Sequence, residues 1–492
     1  MKNKFIWSAS VLALGLGLSL AGCKDALQIE PQQSIDAANA YNTSQKVAAA
    51  VVGVYARLDD PRLYGTDLVL VPELLGEQGA GYTVWNGSFQ NYNQLYRRTQ
   101  IATLSNAQGI WTQAYNAINQ CNLILANLAV VTDAGQRTQF EGEAEFIRAT
   151  MYFELVRLYA QQYTPGGANA QDGVPLNLTA VTTTEQADTK LARSTVQQVY
   201  TQIITDLQTA IQKLPTQNVT RASKYSAEAM LARVYLQQGN YTAARTLAND
   251  VITNSGASLQ GTVGAVFANR NSGESLFEIQ QNDQNNAGTS NDGLATYFAG
   301  YSPTGDQNIL YGRGDVYISG VVLPSPYYSK NFADNFTGFA ALYDSLDTRG
   351  PDTLTILSTK KLMYISDGNN KTGRLRTIKW RTYGQNIPVI RLAEMYLIRA
   401  EAEVRAGQTS AATADVNLIR SRSGAVAKTA VTLADVLLER QLELAFEGFR
   451  IHDLKRTGSP VGAIASTSPL LVLPIPQREI NNNSLLTQNP GY

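Results

Sequence analysis

Glu443 and Glu447 stand four residues apart in a helical pattern and are the carboxylate pair in this sequence that could do acid–base chemistry. Glycoside hydrolysis uses such a pair, with one group protonated as acid and the other ionised. The surrounding charges oppose that reading. Glu439, Arg440, Glu443, Glu447 and Arg450 fall on one expected short helix, with Leu438, Leu442, Ala445 and Phe449 as its apolar stripe. Spacings of three and four bring these charges together, and adjacent guanidiniums hold carboxylates ionised, the opposite of what a general acid needs. The block therefore reads as an ion-pair network fixing the helix against Arg391 and Arg399, and the chain as no enzyme. The single histidine, His452, leaves nothing to build a His-rich metal site or a Ser-His-Asp triad. No metal and no cofactor is expected.

Binding chemistry is better represented. Glu77, Gln78, Tyr82, Trp85, Asn86, Phe89 and Tyr92 sit close together among glycines. Aromatic faces stack on the apolar side of a pyranose while amides read its hydroxyls. Trp85, Asn86 and Tyr82 are the expected ligand contacts from this loop. A second aromatic-rich stretch follows later, with Tyr297, Tyr301, Tyr311, Tyr317, Tyr327 and Tyr328; Tyr301 and Tyr311 are the expected contacts from it. Asp283 and Asp292 have oxygen ligands for calcium nearby, but not the spacing of a calcium loop, and read as solvated. Gly312-Arg313-Gly314-Asp315 reads as a turn.

The start of the chain speaks to location. Lys2 and Lys4 precede an apolar stretch from Phe5 to Leu20, and Leu20-Ala21-Gly22-Cys23 follows. This is a secretory signal with cysteine at the cleavage point, too short for a convincing membrane-spanning helix. It resembles a lipobox, which makes Cys23 the first mature residue and a lipid tether, stable because more than one acyl chain is attached. Cys121 is then left without an intramolecular partner and reads as a small core residue. Lys plus Arg equals Asp plus Glu at 40 each, so there is no electrostatic footprint for nucleic acid.

Paired helices must position these residues. Ala227, Met230, Leu231, Val234 and Tyr235 form one helical stripe; Gly239-Asn240 breaks it; Ala244, Leu247, Ala248, Val251 and Ile252 form the next. Two short helices meeting at small residues resemble a tetratricopeptide pair. The stripes Trp111 to Leu128 and Phe146 to Ala160 make a second pair, and Ala393 to Val404 with Ala411 to Leu418 a third. A further helix spans Thr195 to Leu214, closed by Pro215. From about Gly256 to Ile387 the helical period fades, and Leu276–Ile279 and Val316–Ile318 read as short strands. The expected fold is mainly α: tetratricopeptide-like helix pairs forming a scaffold, decorated by long loops and short β-strands. Residues 1–22 are the expected signal, 23–255 an N-terminal region of helix pairs with the early aromatic loop, and 256–492 a C-terminal region with the loop-rich segment, a helix pair and a terminal motif.

That terminal motif carries a resemblance. The run from Arg391 to Ala402, then Glu439-Arg440-Gln441-Leu442-Glu443-Leu444-Ala445-Phe446-Glu447-Gly448-Phe449-Arg450, Asp453-Leu454-Lys455-Arg456, Leu473 to Ile480 and Gln488-Asn489-Pro490-Gly491-Tyr492 resemble the C-terminal signatures of the SusD/RagB family of outer-membrane lipoproteins. Lys24-Asp25 after the lipid cysteine resembles the surface-export signal of the same bacteria. The resemblance implies a SusD-like α/α superhelix, anchored in the outer membrane and exposed at the surface. It also implies capture of an oligosaccharide or peptide and its delivery to a SusC/RagA-type TonB-dependent transporter. The rival expectations are a surface glycoside hydrolase and a tetratricopeptide-like protein-binding scaffold.

Overall fold

The computed structural model describes residues 40–77, 81–300, 312–319, 336–351, 361–368 and 371–492. Cys23, Gln78, Tyr301, Tyr311, Tyr327 and Tyr328 lie outside the described residues.

Helices come first and dominate. They are α1 (Ser44–Arg57), α2 (Asp67–Leu75), α3 (Gln90–Arg97), α4 (Ser105–Ala126), α5 (Ala134–Tyr159), α6 (Thr184–Ala187), α7 (Val196–Lys213), α8 (Lys224–Gln238), α9 (Tyr241–Asn254), α10 (Val263–Ala268) and α11 (Leu294–Phe298). After these come α12 (Leu392–Arg405), α13 (Thr409–Arg422), α14 (Leu433–Glu443), α15 (Arg450–Arg456) and α16 (Gln477–Asn482). The long ones stack as α4 on α5, α5 on α7, α7 on α8, α8 on α9, α9 on α12 and α12 on α13. The expected helix pairs are therefore present, in a mainly helical scaffold.

Local chemistry explains their ends. Thr195 caps α7 by accepting from Gln198 N while the Gln198 side chain returns to the Thr195 backbone, a reciprocal arrangement that satisfies two orphan donors. Gly239 ends α8 at φ 73°, where an L side chain is strained, and Asn240 caps α9 through Ala243 N. Alanines 227, 229, 232, 244 and 248 are buried where α8 meets its neighbours, and their small size lets the helices approach. Cys121 is a fully buried core residue of α4. No helix among the described residues is long and apolar enough to cross a membrane.

Short strands form two small sheets among the described residues. β1 (Thr83–Trp85), β3 (Val316–Ile318), β5 (Lys371–Thr377) and β4 (Met363–Gly368) form an antiparallel sheet in that order, and β2 (Ser275–Ile279) pairs with β6 (Ile387–Arg391). Trp85 lies opposite Val316, Val84 opposite Tyr317 and Thr83 opposite Ile318. The largest hydrophobic cluster runs from Val47 to Leu486 and includes residues from both sides of position 255.

The C-terminal block differs from its expected single helix. α14 stops at Glu443, and Phe446 (φ 67°) and Gly448 (φ 84°) reverse the chain before α15 starts at Arg450. The break follows from packing: Phe446 is buried against Tyr82 and Phe339, and a Cβ on Gly448 would lie 2.9 Å from the Leu68 carbonyl oxygen. Glu447 consequently turns away from Arg450 and pairs with Lys379 at 2.6 Å and Arg391 at 2.8 Å. Glu443 meets Arg349, Arg391 and Arg422, and Glu274 bridges the last two. Arg399, expected in this network, instead pairs with Asp415.

Candidate functional site

The early aromatic loop is built outward from a buried polar clamp. Asp67, at the start of α2, accepts from Tyr92 Oη at 2.8 Å, from Asn106 Nδ2 and from Arg62 Nη1. Burial pushes the Asp67 carboxyl up, and the Arg62 guanidinium opposes that shift. Arg62 also reaches Asp292 at 3.6 Å, and Asp292 accepts from Tyr297 Oη at 2.6 Å. These bonds fix the rings of Tyr92 and Tyr297, whose centroids are 5.1 Å apart.

Trp85 packs against both, 5.0 Å from Tyr92 and 5.8 Å from Tyr297. It is 5% exposed, and its Nε1 has no hydrogen-bond partner. The indole therefore supports the loop from beneath, because its alternation on β1 turns it toward the core. Tyr82, three residues earlier and just before β1, is 3% exposed. Its ring stacks on Phe446 at 5.4 Å; its hydroxyl donates to Glu73 Oε2 at 2.7 Å and accepts from Phe446 N at 3.1 Å. Glu73 Oε1 accepts from Gly448 N at 2.8 Å, which completes a clasp between the aromatic loop and the C-terminal block. Tyr82 is a strut in that clasp. Its remaining edge borders a groove of about 350 Å³ walled by Leu437, Leu438, Leu444 and Leu454.

The outermost ring is Phe89, 37% exposed. It closes the cluster against Tyr92 and Tyr297, and Arg313 lies 4.6 Å over its face. Asn86, half-buried, is held by donation from its backbone N to Asp315 O at 2.7 Å, and Ser88 and Gln90 are exposed beside it. Arg313 donates from Nε to Asp315 Oδ2 at 3.0 Å, so the Gly312–Asp315 stretch is a clasp under the aromatic face. Along the same sheet, half-buried Tyr317 carries Arg374 5.1 Å over its ring, with Tyr96 nearby. The result is a shelf of aromatic faces backed by guanidiniums and rimmed by amides and hydroxyls. Such a surface can bury the apolar side of a sugar ring and hydrogen-bond its edges.

Of the expected contacts, Asn86 reaches this shelf, Trp85 lies beneath it, Tyr82 is buried against Phe446 and Phe339 in the clasp, and Tyr301 and Tyr311 fall outside the described residues. Phe89, Arg313 and Tyr317 are the exposed or half-exposed members that residue type alone did not single out. The alternation of Val316–Ile318 was the available signal for Tyr317. Asp283 is largely exposed, and its pairing to Arg270 spans 3.8 Å. Among the described residues no group of three or more His, Cys, Asp or Glu side chains could hold a metal ion.

The paired glutamates take no part in the shelf. Burial raises the Glu443 carboxyl, but Arg422, Arg391 and Arg349 outweigh that and hold it well below the usual carboxylate range. His452 is buried with neither ring nitrogen hydrogen-bonded, and burial together with Arg157 drives its pKa well down.

Comparison with known proteins agrees with this architecture. The family described as "Starch-binding associating with outer membrane" matches residues 27–236, and the SusD family matches residues 343–463. "SusD-like protein P2" of Formosa agariphila is 28% identical, over 96% of this chain and 98% of its own length. "Starch-binding protein SusD" of Bacteroides thetaiotaomicron is 35% identical over a shorter stretch, 25% of this chain and 26% of that protein. A crystal structure of a putative sugar-binding protein from Bacteroides vulgatus superimposes with a TM-score of 0.74 at 26% identity, covering 92% of this chain and 99% of the other.

Proposed function

Since this chain belongs to the SusD/RagB family, we propose that it is a substrate-binding lipoprotein of the outer membrane that captures an oligosaccharide on the Phe89 shelf. The observation that carries this reading is a family of starch-binding proteins joined to an exposed ring, Phe89, with Arg313 behind it and Asn86, Ser88 and Gln90 around it. Asn86 and Phe89 form the contact layer, Trp85 and Tyr82 hold it in place, and Tyr301 and Tyr311 are the partners from the middle of the chain. Cys23 is the lipidated first residue of the mature protein and tethers it at the cell surface. The captured ligand passes to a SusC/RagA-type TonB-dependent transporter, with the helical array as the docking face. The protein binds and does not cleave; the ion pairs support this, because Arg422, Arg391 and Arg349 hold the Glu443 carboxyl well below the usual range, while Glu447 is taken up by Lys379 and Arg391.

The test is binding of the mature protein to an array of soluble glycans and peptides, with Phe89→Ala and Trp85→Ala beside it. Loss of the Phe89 face is expected to weaken the glycan hit about tenfold, equal to about 1.4 kcal/mol, while lowering stability by less than about 1 kcal/mol. A peptide hit with no glycan hit would change the ligand class, and a glycan hit indifferent to Phe89→Ala would remove the shelf from the reading. Co-purification of a transporter with the tagged protein tests delivery.

A further inference from the structure

A second groove, of about 250 Å³, lies on the helical scaffold away from the aromatic shelf. The α7–α8 connection, the end of α9 and the stretch leading into β2 enclose it. Its lining mixes neutral polar groups, among them Thr216, Asn218, Asn271 and Ser275, with an apolar wall that includes Leu276 and Phe277, and the ring of Tyr225 lies at its edge. Arg221, the cation in the groove, is engaged by Glu143 at 3.0 Å.

Glu278 also lines this groove, and it is unusual. The residue is 5% exposed. Its Oε2 accepts from Asn271 N and from Asn386 Nδ2, both at 2.8 Å, while Oε1 is buried and has no hydrogen-bond partner. A buried acceptor left without a donor is costly. Asn271 holds φ 50°, a left-handed conformation that Asn tolerates better than most side chains, and points its N–H at the carboxylate. A carboxylate oxygen, amides, hydroxyls and one aromatic edge are together the groups that read a polyhydroxylated ring. The carboxylate accepts a hydrogen bond from a hydroxyl, the amides and hydroxyls donate or accept around it, and the aromatic edge covers a C–H face.

We infer that this groove is a second saccharide site, taking one neutral sugar unit whose hydroxyl donates to Glu278 Oε1. The inference rests on the reading of the protein as a glycan binder but uses a different set of residues. Two sites on one chain bind a long polymer more tightly than either alone, because the second contact becomes intramolecular.

Titration calorimetry of the mature protein with maltoheptaose, and with the tightest hits of the glycan array, tests it. Glu278→Gln keeps the shape and replaces the acceptor, and Thr216→Trp fills the groove from an exposed position, so its folding is not at risk. The expected result is two sites. One weakens about tenfold or more in both groove variants and is unchanged in Phe89→Ala; the other shows the reverse pattern. A single site lost in Phe89→Ala and indifferent to Glu278→Gln and Thr216→Trp overturns the inference and leaves the proposed function standing. Binding lost in the groove variants and kept in Phe89→Ala supports the groove and removes the shelf. Silence across maltoheptaose and the array overturns both.

Discussion

Lys455 gives the sharpest test of how this core handles charge. It is buried, and its Nζ donates to the carbonyl oxygens of Arg157 at 3.0 Å and Ala160 at 3.4 Å, at the C-terminal end of α5. Burial, helped by the nearby Arg157 cation, lowers its pKa from 10.5 to about 7. A neutral amine has two N–H groups, enough for both carbonyls. Between about pH 7 and 10.5 the unfolded chain carries a proton on Lys455 that the folded chain has released. Stability must therefore rise with pH across that window, by about 1.4 kcal/mol per unit. Below about pH 7 both states are protonated and the contribution is flat. From pH 7.5 to 9.0 the gain is about 2 kcal/mol. Lys455→Met has no such dependence. Urea unfolding of wild type and variant at several pH values in that range should show the wild type gaining about 2 kcal/mol on the variant, whatever the offset from the lost hydrogen bonds. Parallel pH curves would refute the reasoning. They would mean that the negative end of α5 holds the ammonium charged despite burial.

Three further outcomes follow from the packing. Trp85→Ala should cost about 3–5 kcal/mol in denaturant unfolding, the loss typical of a buried indole, whereas Phe89→Ala should cost less than about 1 kcal/mol while weakening glycan binding; equal stability losses would mean that the two rings are not divided into support and contact. Glu443→Gln leaves Arg349, Arg391 and Arg422 short of a buried partner and should cost about 3–5 kcal/mol; because the folded carboxyl is held below its usual 4.5, this contribution is complete above that pH and is lost as the solution is acidified further, which acid unfolding of wild type against variant will read. Gly448→Ala combines a left-handed φ with a Cβ against Leu68 O and should cost at least about 1–3 kcal/mol; an unchanged melting midpoint would show that the clasp can shift.

How much of this was legible depends on range. The α8–α9 pair could be read because Gly239 and Asn240 act within a few residues of themselves. β3 was legible at its observed bounds from three β-forming residues amid turn formers. The region of the shelf was legible too, from the density of rings between Tyr82 and Tyr92. Which ring faces out was not. Trp85 turns inward because β1 pairs with β3, more than two hundred residues later, and neither strand announces its partner. The end of α14 was hidden for the same reason. The apolar spacing continues through Ala445 and Phe449, and only the burial of Phe446 against Tyr82 forces the break. Arg313, dismissed as part of a turn, gains its role by lying over Phe89, a neighbour that local spacing cannot supply.

The clasp between Glu73 and Gly448 joins positions 375 residues apart. Closing a loop of that length costs about 5 kcal/mol of chain entropy, recovered only when the contacts around it form together. The helix pairs need no such wait, since their partners are close in sequence. Those local pairs can thus assemble first, whereas the stacking of α9 on α12 and the clasp beneath Tyr82 both wait on distant parts of the chain. A slow C-terminal half would then yield a protein that looks helical and soluble yet has no place to hold its ligand, so binding competence is a later milestone than compactness.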